Sequence, residues 1–183
     1  MNAKEMFDSL ARGAIKRAGL ESLLDNLSKS DFYTAPASTK YHDSCPEGLV
    51  SHSLRVYHRL IQEAELYCEQ IIDHESLAIV GLFHDICKAN YYIEATRNTK
   101  DENGKWIQVP YYTVDDMFPL GHGEKSVYLL QTEMRITLEE ALAIRWHMGG
   151  FEPEGNYKYL NVAYNKTPLA VMLHIADMKA TYL

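Results

Sequence analysis

From Gly48 onward the chain places Leu49, His52, Val56, Leu60 and Ala64 close to one helical face, and this spacing predicts a long amphipathic helix from Gly48 to Ile72. Residues 3–29 show the same period, interrupted at Gly13 and Gly19, and predict two short helices. Residues 33–47, with two prolines among turn formers, read as a loop. Asp73 is placed to cap a further helix from about His74 to Lys88. Between residues 91 and 113 the pattern changes: β-branched and aromatic runs flank "DENG", which predicts a hairpin. Helical patterning returns at residues 122–134. Thr137 followed by Glu140 is a capping-box pattern that opens a helix through His147. Residues 148–168 read as one long loop. Pro168, a favoured first-turn residue, opens the last helix. The pattern predicts an all-α helical bundle with one small β-hairpin excursion. It predicts a single domain over residues 1–183, with residues 1–32 as an N-terminal helical extension on a core of residues 33–183.

Composition narrows the function classes. The 183 residues are 46% hydrophobic, which suits an ordinary globular chain with a core of useful size. A net charge of -7 disfavours a protein whose main task is to hold nucleic acid by its backbone, which asks for a basic face. Cys45, Cys68 and Cys87 are odd in number and form no C-x-x-C pair, so neither a disulfide framework nor a cysteine zinc site is expected. The first twenty residues lack the apolar core of a signal peptide. No stretch approaches the roughly 18 apolar residues of a membrane span. The expected setting is cytoplasmic and reducing.

The candidate chemistry lies in the histidines and acids. His52 falls on the core-facing stripe of its helix. His84 and Asp85 end the next helix, His122 opens one, and His147 closes another. Asp177 interrupts an apolar helix, where a carboxylate needs a partner. Imidazoles and carboxylates at the ends and inner faces of separate helices are how helical bundles build metal sites. Nitrogen and oxygen donors of this kind suit manganese, iron, nickel, cobalt or zinc.

The order His52, His84-Asp85, Asp177 resembles the signature of the HD-domain metal-dependent phosphohydrolases. "EGLVSHSLRV" and "GLFHDICK" resemble that superfamily's first two motifs, and "LHIAD" its last. His122 and His147 match the additional histidines of members that hold two metals. The similarity spans about residues 33–183. "APASTKYH" with "EGLVSHSL" is also similar to the start of the HD domain in a bacterial 3′–5′ exoribonuclease family, and small phage-type HD hydrolases look alike. Cys87 departs from the pattern, where a glycine commonly precedes the lysine. The extended HHE…GYP motif of the cyclic-dinucleotide branch is absent.

The resemblance implies an HD-domain helical bundle and two divalent transition-metal ions. His52, His84, Asp85 and Asp177 would hold the first, and Asp85 would bridge to a second held by His122 and His147. It implies cleavage of a phosphoester or phosphoanhydride by a metal-activated hydroxide. The substrate class it suggests is a nucleotide or related small phosphate compound. Lys88, one turn beyond His84, is placed to contact a phosphate oxygen or the leaving group. Further substrate contacts are proposed for Lys125, Arg145, Tyr112 and His42. Lys40, Arg55 and Arg97 are other candidate cations, and Trp106, Tyr111, Phe151 and Tyr157 are candidate stacking surfaces. His58, about 120° round the helix from His52, is expected to face elsewhere. His74 is expected at the surface, and His174 in core packing near Asp177. The rival readings are a 3′–5′ exonuclease on single-stranded nucleic acid and a non-catalytic, metal-stabilised binding module.

Overall fold

In the computed structural model, which describes residues 2–41, 43–66 and 72–183, the N-terminal segment folds as its broken period predicts. Helix α1 (Ala3–Ala14) opens on a capping box in which Asn2 accepts from the Glu5 N–H and Glu5 from the Asn2 N–H. Helix α2 spans Leu20–Lys29. Phe7 of α1 packs edge-on against Phe32, Tyr33 and Phe83, with ring centroids 5.2, 5.8 and 5.5 Å away. The N-terminal helices therefore share one hydrophobic cluster with the rest of the chain, running from Phe7 to Ala176.

Helix α3 (Gly48–Leu66) buries the predicted stripe, including His52 at 0% exposure. The rest of its expected span falls mostly on residues 67–71, outside those described, and Ile72 is not helical. Helix α4 (His74–Phe83) begins where Asp73 accepts from the Ser76 N–H, and residues Leu77 to Phe83 are all buried. Its expected end at Lys88 needs correction. The α-helix stops at Phe83, and the chain tightens into a 3-10 turn over Ile86–Lys88. The tighter turn lets the Lys88 N–H donate to the Asp85 carbonyl at 2.9 Å, satisfying a carbonyl that the ending helix would leave open.

Strands β1 (Tyr92–Lys100) and β2 (Trp106–Val114) pair antiparallel from Tyr92 opposite Val114 to Lys100 opposite Trp106. The Asp101 carboxylate closes their turn by accepting from the N–H groups of Asn103 and Lys105. Pro110 is tolerated because a strand in a two-stranded sheet has a free edge.

Helix α5 (His122–Glu133) and α6 (Leu138–Trp146) follow, the latter opened by the predicted Thr137–Glu140 capping box. The stretch expected to be one long loop contains a helix, α7 (Tyr157–Lys166). Only Ala163 of α7 is buried, so the segment lacks the apolar stripe that marks a core-facing helix, and its Tyr and Asn residues are weak helix formers. Helix α8 (Pro168–Tyr182) completes the fold.

The described residues are mostly helical, with one small antiparallel sheet. Helix α3 lies between α4 and α8, and α6 packs on α8 and α5. Gly123 allows α5 to approach α6 closely, since a Cβ there would lie 2.3 Å from the Arg145 carbonyl oxygen. Among the described residues no helix is long and apolar enough to cross a membrane.

Candidate metal centre

The fold brings five separate places in the chain to one point. His52 comes from the second turn of α3, His84 and Asp85 from the turn after α4, and His122 from the first position of α5. His147 follows α6, and Asp177 lies in α8. His52, His84 and His147 are fully buried, Asp85 is 2% exposed, and Asp177 and His122 are partly buried at the edge.

The two oxygens of Asp85 face different partners. Oδ2 lies 3.5 Å from His84 Nε2, 3.7 Å from His52 Nε2 and 2.7 Å from the Lys88 ammonium, which donates to it. Oδ1 lies 2.8 Å from His122 Nε2 and 3.5 Å from His147 Nε2. Asp177 Oδ1 closes the first group, 3.0 Å from His52 Nε2. His122 and His147 approach each other at 3.2 Å through their Nε2 atoms.

Two imidazoles are oriented by their own helices. Nδ1 of His84 donates to the Gly81 carbonyl at 3.1 Å, and Nδ1 of His147 donates to the Ile144 carbonyl at 2.6 Å. A carbonyl can only accept, so in the neutral rings the Nδ1 atoms carry the protons and the Nε2 lone pairs point into the cluster. His84 Nε2 is buried there without a hydrogen-bond partner among the described residues. A buried polar atom without a partner is costly, and a cation relieves that cost. Three donor groups gather within 4.8 Å: His52, His84 and Asp85; His84, His147 and Asp177; Asp85, Cys87 and His122. These groups can hold metal ions, and the nitrogen–oxygen donor set fits a borderline divalent metal.

Burial opposes charge at each member, and the neighbouring charges decide the result. Burial would raise the Asp85 pKa, but Lys88, His84 and His122 outweigh it and hold the carboxyl well below its ordinary value. Burial would lower Lys88, but Asp85 outweighs it and the ammonium is raised. The two therefore stay an ion pair at neutral pH. Asp177 is also held low, its burial outweighed by the His52 hydrogen bond and the facing imidazoles. Burial depresses His52 and His122, leaving both neutral at pH 7. His147 goes the other way, because Asp85 outweighs its burial.

Cys87 is the group that sequence reasoning left out of the ligand set. Its Sγ lies 3.3 Å from His122 Nδ1, on the side of the ring away from Asp85's contact, and its N–H donates to Ser126 Oγ at 3.2 Å. Burial and the Asp85 charge push the thiol up to about 12, so it is a thiol rather than a thiolate. His174 also acts near the centre. Its Nδ1 donates to the His147 carbonyl at 2.7 Å. Gly149, with φ of 55°, sits against that ring, and a Cβ there would approach it to 2.3 Å. His58 and His74 are exposed, as expected.

The proposed substrate contacts are scattered. A cavity of about 440 Å³ lies over the cluster, with Asp85, Lys88, His147 and Asp177 in its wall and Phe151 beside them. Lys125 lies on the other side of His122, buried, donating to Asp116 at 2.7 Å, in a small recess of about 100 Å³. Arg145 is held by Glu124 and Glu152 at 2.6 and 2.8 Å and lies over the Trp146 ring. Tyr112 lines a separate groove of about 460 Å³ with Lys40, Arg97 and Tyr111. Arg55 pairs with Asp43. His42 lies outside the described residues. No protein-family model matches this chain, and neither a curated protein nor a solved structure matches it.

Proposed function

We propose that the chain is a metal-dependent phosphohydrolase of the HD-domain type, cleaving a phosphoester or phosphoanhydride of a nucleotide or related small phosphate compound. The observation that carries this reading is the division of Asp85, with Oδ2 toward His52 and His84 and Oδ1 toward His122 and His147. One carboxylate so placed suits two cations while reducing their mutual repulsion. His52, His84, Asp85 and Asp177 would hold one ion, and Asp85, His122 and His147 the other. When bound, such ions supply Lewis acidity toward a phosphoryl oxygen and acidify bound water.

The chain's own groups do the rest. The Lys88 ammonium stays charged beside Asp85 and borders the cavity, so it can attract a phosphoryl oxygen and stabilise charge developing on it. The backbone bonds at Gly81 and Ile144 hold His84 and His147 in orientation before any ligand arrives. His174 fixes the turn after α6 through the His147 carbonyl.

A 3′–5′ exonuclease is the second reading. It is favoured by the groove that carries Lys40, Arg97, Tyr111 and Tyr112, because Lys40 lines that groove and Tyr41 lines the cavity over the cluster. Protein purified without chelator should contain about two transition-metal ions per chain and release phosphate or pyrophosphate from free nucleotides. Faster shortening of a single-stranded oligonucleotide in the same buffer would move the assignment to the exonuclease. Metal binding with no turnover of either would leave a binding module.

A further inference from the structure

We infer that the outer half of the cavity over the metal cluster is a subsite for a flat apolar group carried by a single phosphate, with a nucleoside monophosphate as the fitting class. This rests on the hydrolase reading, and it adds which phosphate compounds the site accepts.

The cavity's about 440 Å³ falls in the roughly 300–1,000 Å³ range of small-molecule sites. Its floor is polar, formed by Asp85, Lys88, His147 and Asp177. Its outer wall is formed by Tyr41, Met148, Phe151, Met178 and Tyr182. All three aromatics of the wall are strongly exposed: Tyr41 at 77%, Phe151 at 60% and Tyr182 at 66%. They add nothing to the core, yet they converge beside the buried charges. Met148 and Met178 supply polarisable, adaptable surface between them.

The wall is built on fixed elements. Met178, Thr181 and Tyr182 lie on one face of α8, immediately beyond Asp177, so the helix that carries a candidate ligand also carries part of the wall. Thr181 and Tyr182 lie about 6 and 7.5 Å along the helix axis from Asp177. Met148 and Phe151 follow His147 on the turn held by His174 and Gly149. A phosphate over the cluster would thus place its attached ring against Phe151 and Tyr182.

Beyond the proposed ion positions, the side-chain cations of the wall do not favour a polyphosphate tail. Lys88 is the one lysine or arginine in the cavity wall among the described residues, and it already pairs with Asp85 at 2.7 Å. Lys125 and Arg145 are bound to Asp116, Glu124 and Glu152 elsewhere. Lys40 and Arg97 line the other groove. Successive phosphates ask for successive donors or cations, whereas this wall offers an apolar face and the Thr181 hydroxyl.

The test uses the full, metal-loaded chain with adenosine 5′-monophosphate, ribose 5-phosphate and adenosine 5′-triphosphate. We expect kcat/KM for the nucleoside monophosphate to exceed that for ribose 5-phosphate by about tenfold or more, as stacking of one base implies. The triphosphate should be the poorer nucleotide. Phe151→Ala and Tyr182→Ala, on different elements and both at exposed positions, should each narrow the preference over ribose 5-phosphate by several-fold through KM, and Phe151→Trp should restore it. Equal rates for the two monophosphates, a preference for the triphosphate, or an unchanged ratio in both alanine variants would overturn the inference while leaving the hydrolase reading intact. Should none of the three be hydrolysed, the hydrolase reading fails, and calorimetric titration of the nucleoside monophosphate decides the subsite. Binding weakened in Phe151→Ala supports it, and absent or unchanged binding overturns it.

Discussion

Asp85 and Glu140 are both buried carboxylates near helix ends, and their surroundings differ in kind. Glu140 is fully satisfied by the protein. Its Oε1 accepts from Ser76 Oγ at 2.7 Å and Arg17 Nη2 at 3.1 Å. Its Oε2 accepts from Arg17 Nη1 at 2.6 Å and the Thr137 N–H at 2.7 Å. Asp85 receives the Lys88 ammonium and is otherwise ringed by four imidazole Nε2 atoms, one of which, on His84, has no hydrogen-bond partner among the described residues. Around Glu140 each acceptor meets a donor. Around Asp85 the Nε2 lone pairs that His84 and His147 turn inward face carboxylate oxygens even with Lys88 in place, an arrangement that a cation completes. A buried carboxylate is thus structural where all its neighbours are donors and a candidate centre where some of them are further acceptors.

The sharpest way to break this contrast is to neutralise each carboxylate's region in turn. Asp85→Asn should cut turnover roughly a thousandfold or more, beyond the effect of His52→Ala, because it weakens both proposed ion positions at once. Metal analysis should show both positions depleted, while the urea midpoint of chelator-treated protein should hold or rise. Near-normal activity in metal-replete buffer would end the bridging role.

Arg17→Met strands the Glu140 charge without its main partner. We expect a loss of about 3–5 kcal/mol in folding stability, read by urea unfolding, with metal content per folded chain unchanged. Loss of bound metal from the folded variant would show that the two regions are not separate.

Acid should distinguish them further. Burial would raise the Glu140 pKa, but Arg17, Ser76 and the Thr137 N–H outweigh it and hold the carboxyl below its ordinary 4.5. The folded chain therefore binds this proton less readily than the unfolded chain. The resulting stability is full above the unfolded value and is lost as pH falls through the folded one. The stability advantage of the wild type over Glu140→Gln should shrink between about pH 5 and pH 3. A constant difference across that window would contradict the ion-paired state.

The smallest expected effect is at Cys87. His84 and His147 lean on carbonyls, whereas His122 leans on a thiol, a weaker hydrogen-bonding partner in either direction. Cys87→Ala should weaken metal at the His122 position by about tenfold, at the low end for an orienting partner, with the fold retained. Competition with a chromogenic chelator measures this, and unchanged affinity would remove Cys87 from the site.

Much of the local architecture is legible in the residues themselves. Asp73, Thr137 with Glu140, and Pro168 announce helix starts, and "DENG" announces the hairpin, because caps and turns depend on groups three or four positions apart. The His52 stripe is legible for the same reason. Helix α7 is not, since its contacts bury one alanine and leave no periodic signature. Nor does spacing show that α4 yields to a 3-10 turn at Asp85, which is what brings Cys87 beside His122.

Glu140 marks the boundary between the two kinds of information. Its place in a capping box follows from Thr137, three residues away, and could be read directly. Its second task, receiving Arg17, joins residues 123 positions apart and appears only in the folded chain. The same division holds at the candidate centre. The sequence by itself determined which helices carry His52, His122, His147 and Asp177 and that each needs a partner, because periodicity and burial cost are local properties. Only the tertiary structure decided which oxygen of Asp85 each histidine faces, and that Phe151 and Tyr182 stand over them while Lys125 and Arg145 do not. Those facts depend on the packing of α3, α5, α6 and α8 about one carboxylate, and no spacing along the chain encodes a distance across it.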